Sequence, residues 1–414
     1  MSRASSLAPL RQRDFAWYYA SRSVNQSGSV MAGIALTFAV LDLTGSASDL
    51  GIVMAARMTP MVVLLLWGGV IADRFSRSLV IQVSNVVSGL TQAAIAALVL
   101  THTAQIWQIV VLSLVNGISS AFSFPALASV MPQLVPRDQL QQANALMSIS
   151  RNALMVLGPS VGALIVVTVG SGWALAVDAA TWLVAAGLLL PVRLPPVDRS
   201  HTSAGVLADL REGWGYFVGT TWLWVVVLAF GAINALTGVW LVVGPAVAQD
   251  TIGRQGWGLV LSAEAIGLLL TALILLRVRL SRPLLTGMVG TAVGAVPMIT
   301  LGLDPQLALL VVIALIAGMG SELFGLGWNL AMQEHVPEEM LSRASSYDAL
   351  GSLIATPLGT IAAGPLALAV GDSTTLVGAG VLYLAICAAV LMSRAVRTLP
   401  RADAQLPSPS HVPR

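Results

Sequence analysis

The sequence predicts an all-α integral membrane protein with twelve transmembrane helices, arranged as two parallel six-helix repeats. Composition gives the first reason: of 414 residues, 56% are hydrophobic and only 10% are charged, and the mean hydropathy is +0.84. The second reason is a series of apolar runs of about 20 residues, the length at which a helix spans roughly 30 Å of hydrocarbon. The third is an internal repeat, in which Met131 and the residues after it resemble the chain from Met332 onward.

The apolar runs are continuous and do not alternate with polar residues, which indicates helices and not the strands of a membrane barrel. The predicted spans cover residues 15–41, 48–72, 78–101, 105–131, 139–169, 172–192, 220–248, 256–276, 284–303, 306–332, 341–370 and 373–393.

The internal repeat places one sequence frame between the fourth and fifth helix of each half. MPQLVPRDQLQQANAL from Met131 matches MQEHVPEEMLSRASSY from Met332, and DRFSRS from Asp73 corresponds to VRLSRP from Val278. Transporters whose two repeats rock about a midplane site have this plan. We therefore predict six-helix bundles at 1–192 and 220–394, a linker at 193–219 and a tail at 395–414. The linker segment VLADLREGWGYFV has the apolar spacing of an amphipathic helix on the membrane surface, and we interpret it as a spacer.

All 21 basic residues are arginine. The absence of lysine excludes a Walker-type nucleotide site and Schiff-base chemistry. Seventeen arginines fall in the segments on one side of the predicted spans, and only Arg254 falls in a loop on the other side. By the positive-inside rule, both termini are therefore expected in the cytoplasm. The basic start is interpreted as a cytoplasmic lead into the first helix, because the apolar run after it is too long for a signal peptide.

The single cysteine, Cys387, lies inside the last span, and the four histidines are scattered. We therefore expect neither disulfides nor a metal site. The net charge is only +2, and most of the arginines lie in the segments on one side of the predicted spans. We therefore attribute the basic charge to membrane orientation and expect no nucleic-acid partner.

Ionisable residues inside the predicted spans are costly in hydrocarbon and are candidates for function by default. They are Arg22, Arg57, Arg151, Asp178, Glu264, Glu322 and Asp348.

Arg22 is followed by Asn25 and Gln26, so one face of the first helix presents three polar groups that we expect to line a central cavity. Glu322, flanked by glycines and without a basic residue nearby in sequence, and Glu264 are the first candidates for carrying a proton.

The other two acidic residues have alternative interpretations. Asp348 is either a further member of this group or a partner of Arg151 or of a loop arginine. Asp178, near the outer end of the sixth helix, could reach the outer interface and is interpreted as structural.

The loop WGGVIADRFSRS resembles the G-x-x-x-D-R-x-x-R motif of the major facilitator superfamily at Gly69, Asp73, Arg74 and Arg77, with Gly68 beside it. FSFPALASVMPQLVPRDQLQQANAL and LGPSVGAL resemble its drug-exporting, macrolide-efflux and enterobactin-exporter branch, and the similarity covers essentially the whole chain. The resemblance implies that this loop closes the cytoplasmic side by contact with the start of the eleventh helix. Orientation by positive charge alone would explain the arginines but not Asp73.

The segment GPSVG resembles the antiporter signature of the fifth helix at Gly158, Pro159 and Gly162, with Leu154 at the position of the first glycine. The resemblance implies a bent, closely packed helix at the interface of the halves. Two explanations of the segment stay open, a specific role in antiport and the ordinary packing of small residues.

From the resemblance we expect a proton-coupled exporter of small amphipathic organic molecules, such as drugs, a siderophore or an antibiotic, in a bacterial inner membrane. It implies alternating access, no cofactor besides the proton gradient, and a monomer in the lipid bilayer. An importer or uniporter of the same fold is the alternative, and a membrane-embedded enzyme or scaffold is a more distant one, because no catalytic motif supports it.

Overall fold

The computed structural model describes residues 6–44, 47–194 and 206–401, and within these residues the chain is helical and contains no β-strand. We number the helices that correspond to the twelve predicted spans α1 to α12. Their bounds are α1 Arg13–Thr44, α2 Ala47–Arg74, α3 Arg77–Leu100, α4 Ile106–Leu134, α5 Leu140–Val169, α6 Ser171–Leu189, α7 Thr221–Asp250, α8 Gly253–Leu275, α9 Pro283–Ala292 with Ala295–Leu303, α10 Leu307–His335, α11 Glu338–Val370 and α12 Asp372–Met392. Judged on the described residues, eleven of these twelve helices are long and apolar enough to cross a membrane. The twelfth is α5, which has 30 residues.

The two halves have the same internal packing. In the first half α2 packs on α4, α1 on α5 and α6, and α3 on α4 and α6. In the second half α8 packs on α10, α7 on α11 and α12, and α9 on α10 and α12. The predicted arrangement of two six-helix repeats is thereby confirmed.

Equivalent glycines set the closest helix contacts in the two halves. Gly117 of α4 packs on the backbone carbonyl of Arg57 in α2, and Gly318 of α10 packs on the backbone carbonyl of Glu264 in α8. A β-carbon at either glycine would collide with that carbonyl oxygen. Small residues of this kind let helices in a membrane approach each other closely.

Helix α9 is broken, whereas the sequence predicts a continuous span. Val293 and Gly294 form tight turns, donating to the carbonyls of Gly290 (3.1 Å) and Thr291 (2.9 Å). Pro297 follows and has no N–H to donate to the carbonyl of Val293, which accounts for an interruption of the helical ladder at this point.

The linker helix, Val206–Gly219, packs on α2, α7 and α11. Of its predicted apolar face, Phe217 is buried and Trp214 is exposed, and both rings contact Tyr347 of α11. The side chains of Val206 and Leu207 lie outside the described residues.

The halves are joined at the end of the bundle that carries the linker helix and the α2–α3 loop, which we call the linker end. An apolar cluster of Ala145, Leu275, Leu280 and Leu326 is buried there between α5 and the second half. Asn144 of α5 adds a hydrogen bond of 2.7 Å from its Nδ2 to Oε1 of Gln333 on α10. The linker end is therefore closed.

Candidate functional site

The α2–α3 loop docks on the start of α11 through Arg77. This residue is 7% exposed, its Nη2 donates to the backbone carbonyl of Glu338 (2.7 Å), and its Nη1 donates to the carbonyl of Ser129 on α4 (3.4 Å). Hydrogen bonds that involve a charged group contribute about 1.5–3 kcal/mol each. One guanidinium thus ties the two halves together at the contact that the family resemblance implies for this loop. The role of Arg77 in transport stays a prediction.

Gly69 allows α2 to approach α11 beside this contact. A β-carbon at position 69 would lie 2.6 Å from Oγ of Ser346 and 3.3 Å from Cα of Arg343. The neighbouring Gly68 packs instead on the backbone of α4, against Ala121. The side chains of Asp73 and Arg74 lie outside the described residues, so their predicted contacts stay predictions.

A second contact closes the linker end where the repeat places the counterpart of the first one. Gln141, at the start of α5, is completely buried. Its Nε2 donates to the carbonyls of Leu275 (2.9 Å) and Val278, and its Oε1 accepts from the N–H of Leu280 (3.0 Å). One amide side chain thereby holds the α8–α9 loop against the first half.

Arg401 reinforces this second contact. It is 5% exposed, its Nε pairs with Oε1 of Glu334 on α10 (3.2 Å), and its Nη1 donates to Oε1 of Gln141 (3.2 Å). Sequence reasoning missed these three residues. The internal repeat was the signal that could have found Gln141, since it relates the α8–α9 loop and the start of α5 to the α2–α3 loop and the start of α11.

Glu322 lies at the deepest polar contact between the halves. It is 2% exposed, and its Oε2 accepts from Nη2 of Arg151 (3.3 Å) and from Nδ2 of Asn152 (3.1 Å), both on α5. Its Oε1 is buried and has no hydrogen-bond partner among the described residues. No basic residue is near Glu322 in sequence, and the fold supplies one because α5 packs on α10 and brings in a residue 171 positions away in the chain.

Asp348 does not pair with Arg151, which corrects one of its two interpretations. Its Oδ2 accepts from Nε1 of Trp328 (3.0 Å). With Trp328 and with Phe124 of α4, it lines a cavity of about 90 Å³ between the halves. Asp348 therefore faces the interface, one helix away from Glu322.

The polar face predicted on α1 forms in part. Nη1 of Arg22 donates to Oδ1 of Asn25 (3.3 Å), and the amide nitrogen of Asn25 is buried with no acceptor among the described residues. Gln26 is half-buried. This stretch of α1 therefore carries more hydrogen-bond donors than the described part of the fold uses.

Arg57 and Asp178 lie inside the first half. Asp178 is completely buried, and its Oδ2 accepts from Nε2 of Gln92 (2.6 Å). Arg57 is close enough to interact with it electrostatically. The idea that Asp178 could reach the outer interface was wrong, because α6 turns this residue toward α1 and α3, beside Gly28 and Gln92.

Glu264 lies inside the second half and not between the halves. It lines a cavity of about 120 Å³ with Trp240 and Tyr383, among others. Glu264 therefore lies apart from the constellation around Glu322.

The antiporter-like segment of α5 packs within the first half. Gly158 abuts Val30, and Gly162 abuts Met31, both on α1. The expected position at the interface of the halves was wrong for these two glycines, since it is the linker-end part of α5 that contacts the second half. The side chain of Pro159 lies outside the described residues.

A sequence profile described as Major Facilitator Superfamily matches residues 19–350. The chain belongs to the major facilitator superfamily. It is therefore a multi-pass membrane transporter and not an enzyme, as the sequence motifs indicated.

Relatives within the major facilitator superfamily include proteins named for export. The chain is 28% identical over 367 residues to the multidrug efflux pump Tap of Mycolicibacterium fortuitum, covering 84% of this chain and 88% of Tap. It is 27% identical over 367 residues to the enterobactin exporter EntS of Escherichia coli O1:K1 / APEC, covering 86% and 87% of the two chains.

Solved structures support the same fold. The chain resembles a bacterial homologue of the iron transporter ferroportin with a TM-score of 0.70 at 15% identity, covering 92% of this chain and all of that one. It resembles the Escherichia coli fucose:proton symporter with a TM-score of 0.70 at 13% identity, covering 94% and 99%. At these identities the likeness concerns the major facilitator fold alone.

Proposed function

We propose that the protein is a proton-coupled exporter of small amphipathic organic molecules, working by alternating access in a bacterial inner membrane. The linker end and both termini face the cytoplasm in this proposal, in keeping with the distribution of arginine. The names of Tap and EntS support the direction of transport. The observation that carries proton coupling is the buried carboxyl group of Glu322 at the contact between the halves.

Glu322 connects proton binding to the closure of the linker end. In the ionised state its Oε2 holds Arg151 and Asn152 of the other half. Protonation removes the attraction for the guanidinium, so the closed state loses one charge-assisted contact of about 1.5–3 kcal/mol. This corresponds to a roughly 10- to 150-fold shift of the population toward the state that is open at the linker end.

The direction of the cycle follows from this shift. A proton that reaches Glu322 from the far end weakens the closure, and the linker end opens. The proton then leaves to the more alkaline cytoplasm, substrate enters from the same side, and the Arg151 contact forms again. Each step uses a difference in affinity between two states, which alternating access requires.

Apolar and acidic groups adjoin at the interface, which supports an amphipathic substrate. Phe124 is 41% exposed and lines the 90 Å³ cavity together with Trp328 and Asp348. Sites for organic ligands commonly combine apolar walls with a few polar groups.

The test is accumulation of fluorescent dyes and labelled antibiotics in efflux-deficient bacteria that express the protein, with and without a protonophore. We expect cells that express the protein to accumulate less of these compounds than cells that do not, and we expect the protonophore to abolish this difference. Proteoliposomes with an imposed pH gradient then compare Glu322→Gln with Asp304→Asn, a matched removal of an exposed carboxylate in the α9–α10 loop. Glu322→Gln should lose gradient-driven transport but retain exchange of labelled for unlabelled substrate.

The outcomes separate the alternatives. Uptake in place of export, with the opposite dependence on the pH gradient, would indicate an importer. Gradient-driven export that survives in Glu322→Gln but is lost in Glu264→Gln or Asp348→Asn would assign coupling to another acid. No effect of the protonophore on an active exporter would contradict proton coupling.

A further inference from the structure

Arg151 is only partly used by the ion pair that it forms. Its side chain is 42% exposed, whereas the carboxylate of Glu322 that it contacts is 2% exposed. Its other contacts in the described part of the chain, to Ser148 and Asn152, come from its own helix. The guanidinium therefore lies at the contact between the halves and retains exposed surface there.

Arg22 is a second cation on the interior side of the first half. Tyr18 and Asn25, at i−4 and i+3, share its helix face, and the hydroxyl of Tyr18 donates to the carbonyl of Leu127 on α4 (3.5 Å). This face of α1 is therefore directed toward α4 and not toward lipid. Among the described residues, the Arg22 guanidinium makes one hydrogen bond, to the amide oxygen of Asn25.

The two arginines lie at nearly the same depth on neighbouring helices. Tyr19 and Ser150 are hydrogen-bonded across the contact between α1 and α5. Arg22 comes three residues after Tyr19 and Arg151 comes one residue after Ser150, so the two arginines differ in level by about 3 Å along their helices. The two arginines therefore lie at nearly the same level of adjacent helices.

Within the described residues, no carboxylate neutralises Arg22. Glu322 is held by Arg151, Asp178 is held by Gln92 next to Arg57, and Asp348 accepts from Trp328. Asn25 adds a buried amide N–H group without an acceptor, and its orientation is fixed because its oxygen accepts from Arg22. A cation and an unpaired N–H group inside the membrane cost free energy unless a ligand neutralises the charge and accepts the hydrogen bond.

We propose that Arg22, Arg151 and Asn25 form an anion-binding site for the transported substrate, which is thus an amphipathic organic anion with a carboxylate or a similar group. That the bound anion is the transported substrate rests on the proposed function. The anion site itself can be tested by measuring binding at equilibrium. The planar guanidinium groups offer paired donors that match the oxygens of a carboxylate.

The experiment compares two probes that share one fluorophore, of which only one carries a carboxylate. Dansylglycine carries a carboxylate and dansylamide is neutral, and their fluorescence reports binding to the purified full-length protein in nanodiscs without a gradient. We expect dansylglycine to bind at least 10-fold more tightly than dansylamide. Arg22→Gln and Arg151→Gln should each weaken dansylglycine binding by roughly 10- to 100-fold, with little change for dansylamide. Arg22→Lys keeps the charge but loses the paired planar donors, so its affinity for dansylglycine should fall between those of the unmodified protein and Arg22→Gln. Arg211→Gln on the exposed face of the linker helix is the matched control.

Circular dichroism and thermal unfolding establish that each variant is folded. Equal affinity for the two probes, no binding of either, or loss of both in Arg22→Gln with a folded protein would overturn the anion site. Those results would leave proton-driven export untouched, because export is measured with a gradient and with other compounds. Anion binding without gradient-driven export would conversely contradict the proposed function and retain the site.

Discussion

Replacing Gly69 by alanine should open the linker end. The added β-carbon would lie 2.6 Å from Oγ of Ser346, well inside the 3.4 Å at which ordinary van der Waals contact begins. Ser346 is 1% exposed and its hydroxyl donates to the carbonyl of Ser342 (2.9 Å), so rotation of the hydroxyl would break that bond. The backbone of α11 at 3.3 Å limits any other adjustment. Overpacking of this kind costs about 1–3 kcal/mol.

This cost falls only on the state in which α2 and α11 are in contact. The gain in helix propensity from glycine to alanine applies in both states and cancels. We therefore expect the ratio of open to closed molecules at the linker end to rise by about 5- to 150-fold, because each 1.4 kcal/mol is a factor of ten.

Spin labels can measure the shift directly. Phe75 and Val278 lie in loops of opposite halves at the linker end and are 53% and 52% exposed, and Cys387 is buried and can be replaced by serine. Labels at positions 75 and 278 should show a population at longer distance in Gly69→Ala. Gly51→Ala, on the same helix with nothing within 4 Å, is the control. Identical distance distributions in the two variants would refute the reasoning.

Two further predictions concern stability. Arg401→Met leaves the fully buried side chain of Glu334 without this partner and should lower the free energy of unfolding by about 3 kcal/mol. Adding Glu334→Gln to the same chain should restore part of the lost stability in a double-mutant cycle of thermal unfolding. Strictly additive effects of the two mutations would argue against the pair. Gly359→Ala would press a β-carbon against the backbone carbonyl of Ala235 on α7 and should lower the melting temperature, whereas Gly364→Ala, with nothing within 4 Å, should not. Equal melting temperatures for the two glycine variants would contradict the close approach of α7 and α11.

The helices and their repeat could be predicted because both depend on local pattern. Apolar runs of membrane length define α1 to α12, and the frame shared by Met131 and Met332 relates the halves. The break in α9 could also have been predicted, because Gly294 and Pro297 lie three residues apart. Hydropathy alone does not indicate it, since both parts of α9 are apolar.

Pairings between the halves could not be predicted in the same way. The partner of Glu322 depends on which face of α5 meets α10, and no local pattern decides between Arg151 and another arginine. The same holds for Arg401. Its neighbours in sequence are typical of a solvated tail, and only the fold shows that it pairs with Glu334. Contacts of this kind follow from the packing of complete helices and not from the periodicity of any one of them.

The contact of Arg401 with Gln141 joins residues 260 positions apart and has a consequence for biosynthesis. Chains are synthesised at about 5–20 residues per second, so roughly 13–52 s separate the appearance of these two residues. During that interval the first six helices can already be in the bilayer, but Gln141 lacks both Arg401 and the α8–α9 loop for much of the time. Until these partners are made, the Gln141 amide is uncovered, and uncovered contact surfaces of this kind are what membrane chaperones and proteases encounter. The first half is therefore expected to be most vulnerable to degradation before the last helix is inserted, which ribosome-arrested chains of increasing length would reveal.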